Sequence, residues 1–198
     1  MTSVGINGLG RIGRLLTRRL FERHDARAAL RLTMCNEVAD AATVAHLLKY
    51  DSTHGRFSQP VMTDGDHLNI VDQAVLLTHE TAQSKVRWSD RDVNIVIDCT
   101  GVEFNRSSAA QHLGGSVSRV MLSQPASTDV DGTIIWGLND STLTPDMSVI
   151  SAGSCTSNAL MPVLSVIDEA FGIRAGIVTT IHSAMNDQPV IDAYHHTD

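Results

Sequence analysis

Cysteine is scarce in this chain. It occurs three times in 198 residues, with no regular spacing and no Cys-x-x-Cys pair. That excludes a disulfide framework. Positive charge is outnumbered, with 15 Lys and Arg against 22 Asp and Glu and a net charge of −7. A pI near 5.6 argues against nucleic acid or an anionic membrane as the main partner, since both reward a basic face. Local cationic pockets for phosphate remain compatible with it. Long apolar runs are missing too. None approaches the ~20 residues a bilayer-spanning helix needs, and the apolar stretch Thr2 to Ile6 is too short for the core of an export signal. Repeats and low-complexity tracts are absent. A reducing cytoplasm is therefore the expected setting, with no nucleic acid and no membrane as partner. His46, His54, His195 and His196 form no metal-ligand pattern, so no metal is expected.

What is present is a globular composition. Apolar residues make up 42% of the chain, enough for a sizeable core. The length suits one solid domain, or one domain plus part of another. Short apolar runs alternate with helical patterns. Val4 to Asn7 reads as a strand, and Arg11 to Arg23 as a helix with Ile12, Leu15, Leu16 and Leu20 on one face. Leu30 to Cys35 is a second strand and Ala39 to Leu48 a second helix. This βαβ order implies a parallel sheet with right-handed crossovers. From Asp51 to Thr78 the pattern changes, and two short runs, Leu68 to Val71 and Ala74 to Leu77, flank Asp72-Gln73 as in a hairpin. Asn94 to Cys99 reads as a buried strand, Ser107 to Leu113 as a short helix stopped by Gly114-Gly115. Val120 to Ser123, Thr133 to Trp136 and Ser148 to Ser151 read as further strands. Cys155 to Phe171 reads as a helix that Pro162 is expected to kink or delay, and Ile173 to Ile181 as a long β-branched strand leading to His182. A domain boundary is expected near residue 150.

Two patterns carry chemistry. Gly8, Gly10 and Gly13 fit G-x-G-x-x-G between a strand and a helix. In such a turn the first glycine permits the bend, the second lets the backbone approach a pyrophosphate, and the third lets helix and strand pack closely. The helix N-terminus then offers N–H groups and positive potential to an anion. Glu37, at the end of the second strand, suits the adenine-ribose hydroxyls and repels a 2′-phosphate, so NAD is expected over NADP. Arg11, inside the turn, is a better phosphate contact than Arg14. The second pattern is Ser154-Cys155-Thr156-Ser157-Asn158. Cys155 opens a helix, whose dipole favours the thiolate. His182 closes the following apolar segment, where it can serve as general base for the sulfur. The other thiols, Cys35 and Cys99, read as buried strand residues.

These residues form a recognisable set. Ile6-Asn7-Gly8-Leu9-Gly10-Arg11-Ile12-Gly13-Arg14 resembles the opening of the glyceraldehyde-3-phosphate dehydrogenase family. Ser154 to Asn158 resembles that family's catalytic cysteine motif, and Thr179-Thr180-Ile181-His182 its catalytic histidine segment. Three stretches (Asn36 to Asp40, His46 to Phe57, His182 to Gln188) are most similar to the erythrose-4-phosphate dehydrogenase branch. Glu37 and Ala184-Met185 weigh most, because a hydroxyl residue usually stands where Met185 stands and helps hold the substrate phosphate.

The resemblance implies a Rossmann-type NAD-binding domain over residues 1–150 and the first part of an α+β catalytic domain over 151–198. It implies Cys155 as nucleophile and His182 as base in the oxidation of a sugar-phosphate aldehyde, with inorganic phosphate or water releasing the acyl group. Asn7, Gly8, Gly10, Arg11, Ile12, Gly13, Glu37, Thr100, Gly101 and Ser123 match cofactor positions, and Ser154 and Thr156 match substrate-phosphate positions. A homo-oligomer, tetrameric in full-length relatives, is implied as well. Relatives continue further, with an arginine for phosphate and an asparagine for the nicotinamide amide; a sheet cut after Ile181 is therefore expected to leave apolar faces uncovered, a surface for aggregation or a partner. Phosphorylating oxidation of glyceraldehyde 3-phosphate and a non-catalytic NAD-binding fragment stand as alternatives. Ser157, for a usual threonine, is a mild departure.

Overall fold

The computed structural model describes residues 1–102 and 105–182. Ala184-Met185 and the His195-His196 pair lie outside them. The elements follow the chain as β1 (Thr2–Asn7), α1 (Arg11–Glu22), α2 (His24–Ala29), β2 (Leu30–Asn36), α3 (Ala41–Lys49), β3 (Tyr50–Asp51), β4 (Gly55–Arg56), β5 (Val61–Asp64), β6 (His67–Ile70), β7 (Gln73–Thr78), β8 (Ile95–Asp98), α4 (Arg106–Ala109), β9 (Arg119–Leu122), β10 (Gly132–Thr133), β11 (Val149–Ser151) and α5 (Cys155–Phe171).

Nine strands form one sheet in the order β10-β11-β9-β8-β1-β2-β7-β6-β5. All pairs from β10 to β7 are parallel, and β5, β6 and β7 pair antiparallel. This is a Rossmann-type α/β fold. From β1 the chain builds outward on one side through β2, then returns to build β8 and β9 on the other. The crevice at the carboxyl ends of β1 and β8 is the switch point where such sheets bind ligands.

The elements form where periodicity demands, with local corrections. α1 buries Gly13, Thr17, Leu20 and Phe21, while Ile12 is 54% exposed. Of the expected apolar face, Leu20 enters the core and Leu16 packs against it, and Ile12 alone is turned outward, while Gly13 lies against the turn. Arg18 is buried and donates to the carbonyls of Leu48 and Gly55, tying α1 to the end of α3. α3 starts at Asp40, whose carboxylate accepts from the Thr43 N–H at 2.9 Å. The expected hairpin is present, and β5 extends it to three strands. The expected helix from Ser107 divides into α4 and a 3-10 turn, Ala110–His112. The expected strand Thr133 to Trp136 is only β10, and Trp136 is 80% exposed.

α5 runs unbroken through Pro162. The expected strand Ile173 to Ile181 is not formed. A β-branched run becomes a strand only beside a partner, and no described strand pairs with it. The core lies in two clusters. One packs Leu20, Phe21, Val44 and Leu48 over Ile6, Leu32 and Leu77; the other gathers Met34, Val93, Val96, Val120 and Val149 around Trp88. Among the described residues no helix is long and apolar enough to cross a membrane, and no group of three or more His, Cys, Asp or Glu is arranged to hold a metal.

Candidate active site

The glycine turn leaves β1 at Gly8, whose φ of +87° is costly for any residue with a Cβ. A Cβ on Gly13 would lie 2.0 Å from the Gly8 carbonyl oxygen, so the third glycine is demanded by contact with the turn. Gly10 meets nothing within 4 Å where its Cβ would be. That leaves an open cradle at the start of α1, whose first turn carries no acidic residue and whose N-cap, Gly10, supplies no side-chain hydrogen bond. These are the properties a bound pyrophosphate requires.

The cradle opens into a cleft of about 500 Å³ walled by Asn7, Gly8, Gly10, Glu37, Val38, Gln83, Cys99 and Thr100. Glu37 projects from the end of β2, and its Oε2 accepts from the Leu9 N–H at 2.7 Å. Carboxylate lone pairs remain for ribose hydroxyls. Of the other expected cofactor residues, Arg11 and Gly101 are exposed. Ile12 lies on the outer side of α1, Gly13 is buried beneath the turn, and the Ser123 hydroxyl donates to Gln124. The residues present therefore fit a dinucleotide.

Four buried polar residues lie beneath the cleft: Asn7, Asn36, Asp98 and His112. Asp98 accepts four hydrogen bonds. Its Oδ1 takes the Thr100 N–H (2.9 Å) and hydroxyl (2.6 Å); its Oδ2 takes Asn7 Nδ2 (2.9 Å) and His112 Nε2 (3.2 Å). Asn36 Nδ2 donates to Asn7 Oδ1 at 2.9 Å, and Trp88 Nε1 donates to His112 Nδ1 at 3.0 Å. Burial alone would raise the Asp98 carboxyl. The bonds from His112, Thr100 and Asn7 outweigh it and hold the group below its ordinary value. Sequence reasoning missed Asn36, Asp98 and His112. The signal for Asp98 was a carboxylate closing an apolar strand, which burial forbids without partners.

The thiol stands elsewhere. Gly153 (φ +72°) turns the chain from β11 into α5, and Ser154 caps that helix, its Oγ accepting from the Ser157 N–H at 2.9 Å. Cys155 is the first helical residue and is exposed. Its Sγ lies 3.2 Å from His182 Nε2. This contact lowers the thiol from its ordinary value; the hydrogen bond with His182 is the main cause, slight burial opposes it, and the Thr156 hydroxyl adds to it. Cys155, Thr156, Leu160, Thr179 and His182 line one open pocket of about 500 Å³. The structure thus joins Cys155, Thr156 and His182, whereas Ser154 is engaged as a helix cap.

The two halves of this arrangement match two halves of one family. The model for glyceraldehyde 3-phosphate dehydrogenase, NAD binding domain, matches residues 2–106, more than half of the chain. The chain belongs to the glyceraldehyde-3-phosphate dehydrogenase family. A second model, for the C-terminal domain of glyceraldehyde 3-phosphate dehydrogenase, matches residues 154–198 and so begins at the Ser154 cap. Membership makes NAD the cofactor and NAD-dependent aldehyde oxidation the class of reaction. The glycine turn and Glu37 fall inside the first match, and Cys155 and His182 inside the second.

Proposed function

We propose that this protein oxidises a sugar-phosphate aldehyde, erythrose 4-phosphate, to the corresponding acid through a covalent intermediate on Cys155. The observation that carries the reading is the 3.2 Å contact between the Cys155 sulfur and His182 Nε2. His182 accepts the thiol proton, and the thiolate forms a C–S bond to the aldehyde carbon. The resulting alkoxide is stabilised by the Cys155 N–H and by the protonated imidazole, which returns a proton to give a thiohemiacetal. A bound NAD, held by the glycine cradle and Glu37, would supply the acceptor for the hydride that this carbon loses. His182 removes the hydroxyl proton as the carbon becomes a thioester. Water or phosphate then adds, the C–S bond breaks, and the sulfur leaves as the thiolate.

Within this proposal residues 1–150 are the cofactor domain and 151–198 the first part of the catalytic domain. Asn7, Gly8, Gly10, Arg11, Glu37 and Thr100 hold NAD, and Thr156 contributes to the substrate-phosphate site. The preference for erythrose 4-phosphate rests on the sequence of the Asn36 to Asp40, His46 to Phe57 and His182 to Gln188 stretches, with Glu37 and Ala184-Met185 weighing most. NADH formation with erythrose 4-phosphate and with glyceraldehyde 3-phosphate tests it, a larger kcat/KM being expected for the four-carbon substrate. The opposite order returns the chain to the phosphorylating branch. Iodoacetamide labelling tests the nucleophile, and Cys155 reacting no faster than Cys35 would end the covalent reading. Light scattering checks the expected homo-oligomer.

A further inference from the structure

The mechanism leaves one buried titratable group unused. His112 is 3% exposed, has no face on the cleft, and yet carries hydrogen bonds of opposite sense on its two nitrogens. Trp88 Nε1 can only donate. His112 Nδ1 must therefore accept, and the ring proton must sit on Nε2, facing Asp98. The Asn7 Nδ2 and His112 Nε2 atoms lie 3.5 Å apart because both donate to the same carboxylate oxygen. The Trp88 donor thus fixes the tautomer of His112, and the carboxylate of Asp98, which can only accept, fixes the direction of the bonds around it. His112 donates to Asp98, Asp98 accepts from Asn7 and Thr100, and Asn7 in turn must present its oxygen to Asn36.

Resting on the reading of this cleft as the NAD site, the geometry points to His112 as a positioning residue for cofactor binding. It orients Asp98, and Asp98 holds the two groups, Asn7 and Thr100, that wall the cleft. An asparagine amide free to rotate presents either a donor or an acceptor to a ligand. One locked at both ends presents a single face, so less ordering remains to be done when the ligand arrives. The same carboxylate fixes the turn after β8 by taking both the N–H and the hydroxyl of Thr100. An apolar residue at 112 would leave the Trp88 N–H unpaired and remove one of the four donors around a buried charge.

The test is direct NAD binding by calorimetry to the wild-type chain, His112→Phe, His112→Gln, Asn7→Ala and the double variant His112→Phe/Asn7→Ala. His112→Phe is expected to weaken NAD about ten-fold. His112→Gln, whose amide offers one acceptor and one donor, is expected to stay within about two-fold. The double variant should lose less affinity than the sum of the two single losses, because the first change acts in part through Asn7. A merely structural histidine would lower stability in His112→Phe and leave NAD affinity intact; that result, or additive losses in the double variant, overturns the proposal. Should His112→Phe show no cooperative unfolding, Asp98→Asn tests the same link, again with about ten-fold weaker binding expected. Asp98→Asn binding NAD as the wild type does overturns the proposal. A wild-type chain that binds no NAD overturns the cleft reading and the proposal together.

Discussion

Ile6, Met34, Cys35, Val75 and Val96 in the sheet are wholly shielded from solvent, and the polar side chains buried among them are hydrogen-bonded to one another. In α5 no residue is buried, and Phe171 is 87% exposed. The three thiols register the same contrast. Burial pushes Cys35 far up and Cys99 up to about 11, while the exposed Cys155 is drawn down by an imidazole. In the proposed function, cofactor recognition thus rests on a packed, over-determined scaffold, and the nucleophile on one contact between two exposed side chains. Changes in one region should leave the readout of the other almost untouched.

The largest test of that separation is Cys155→Ser. NADH formation is expected to fall at least about a thousandfold, while NAD affinity measured by calorimetry stays at the wild-type value. A matching loss of affinity would show the two regions to be one cooperative unit. The converse is Gly13→Ala. Its new methyl group meets the Gly8 carbonyl at 2.0 Å, so the variant should lose about 3 kcal/mol in denaturant unfolding and bind NAD poorly. Iodoacetamide should still label Cys155 at close to the wild-type rate at low temperature, where the variant remains folded.

His182→Ala sharpens the comparison from the exposed side. The thiolate is the reactive form, and the folded thiol is held below its ordinary value by His182. Alkylation of Cys155 therefore sets in at lower pH than that of an unperturbed thiol. Removing the imidazole moves the titration upward, and the rate at neutral pH should fall by about ten- to a hundred-fold. The pH profile of iodoacetamide labelling reads this directly, and an unchanged profile would show that the histidine plays no part in activating the sulfur.

How far the sequence could be read follows the same division. Periodicity located α5 to its terminal residues and placed the β6–β7 hairpin, because hydrophobic spacing and glycine turns are local signals. The strand expected at Ile173 to Ile181 failed for a non-local reason, since propensity describes what a segment can pair with and not whether a partner is present. On α1 the expectation held for Leu16 and Leu20 and failed for Ile12, which the close contact at Gly13 leaves on the outer side. Cys155 and His182 were legible because a thiol at a helix start and an imidazole after an apolar run are chemically conspicuous. Asp98 and His112 were not, for one histidine among nine gives no sign of burial until the tertiary fold brings Trp88 and Asp98 to its two nitrogens.

The smallest expected effect separates the regions most cleanly, because it applies the same change to both. Asp40 and Ser154 are each helix N-caps whose side-chain oxygen accepts a backbone N–H three residues on, at 2.9 Å in both cases. Replacing either by alanine removes one such bond and frays one helical turn. α3 buries Val44 and Leu48 in the main core, so fraying at Asp40 loosens packing that unfolds with the whole sheet. Asp40→Ala should therefore lower the melting temperature by a few degrees. α5 contributes nothing to either core cluster, so fraying at Ser154 is a local opening. Ser154→Ala should leave the cooperative melting transition in place while speeding amide hydrogen exchange at Ser157 and its neighbours. Equal shifts in melting temperature would mean that α5 is coupled to the sheet through contacts of its own, and the two-region account of the molecule would fall.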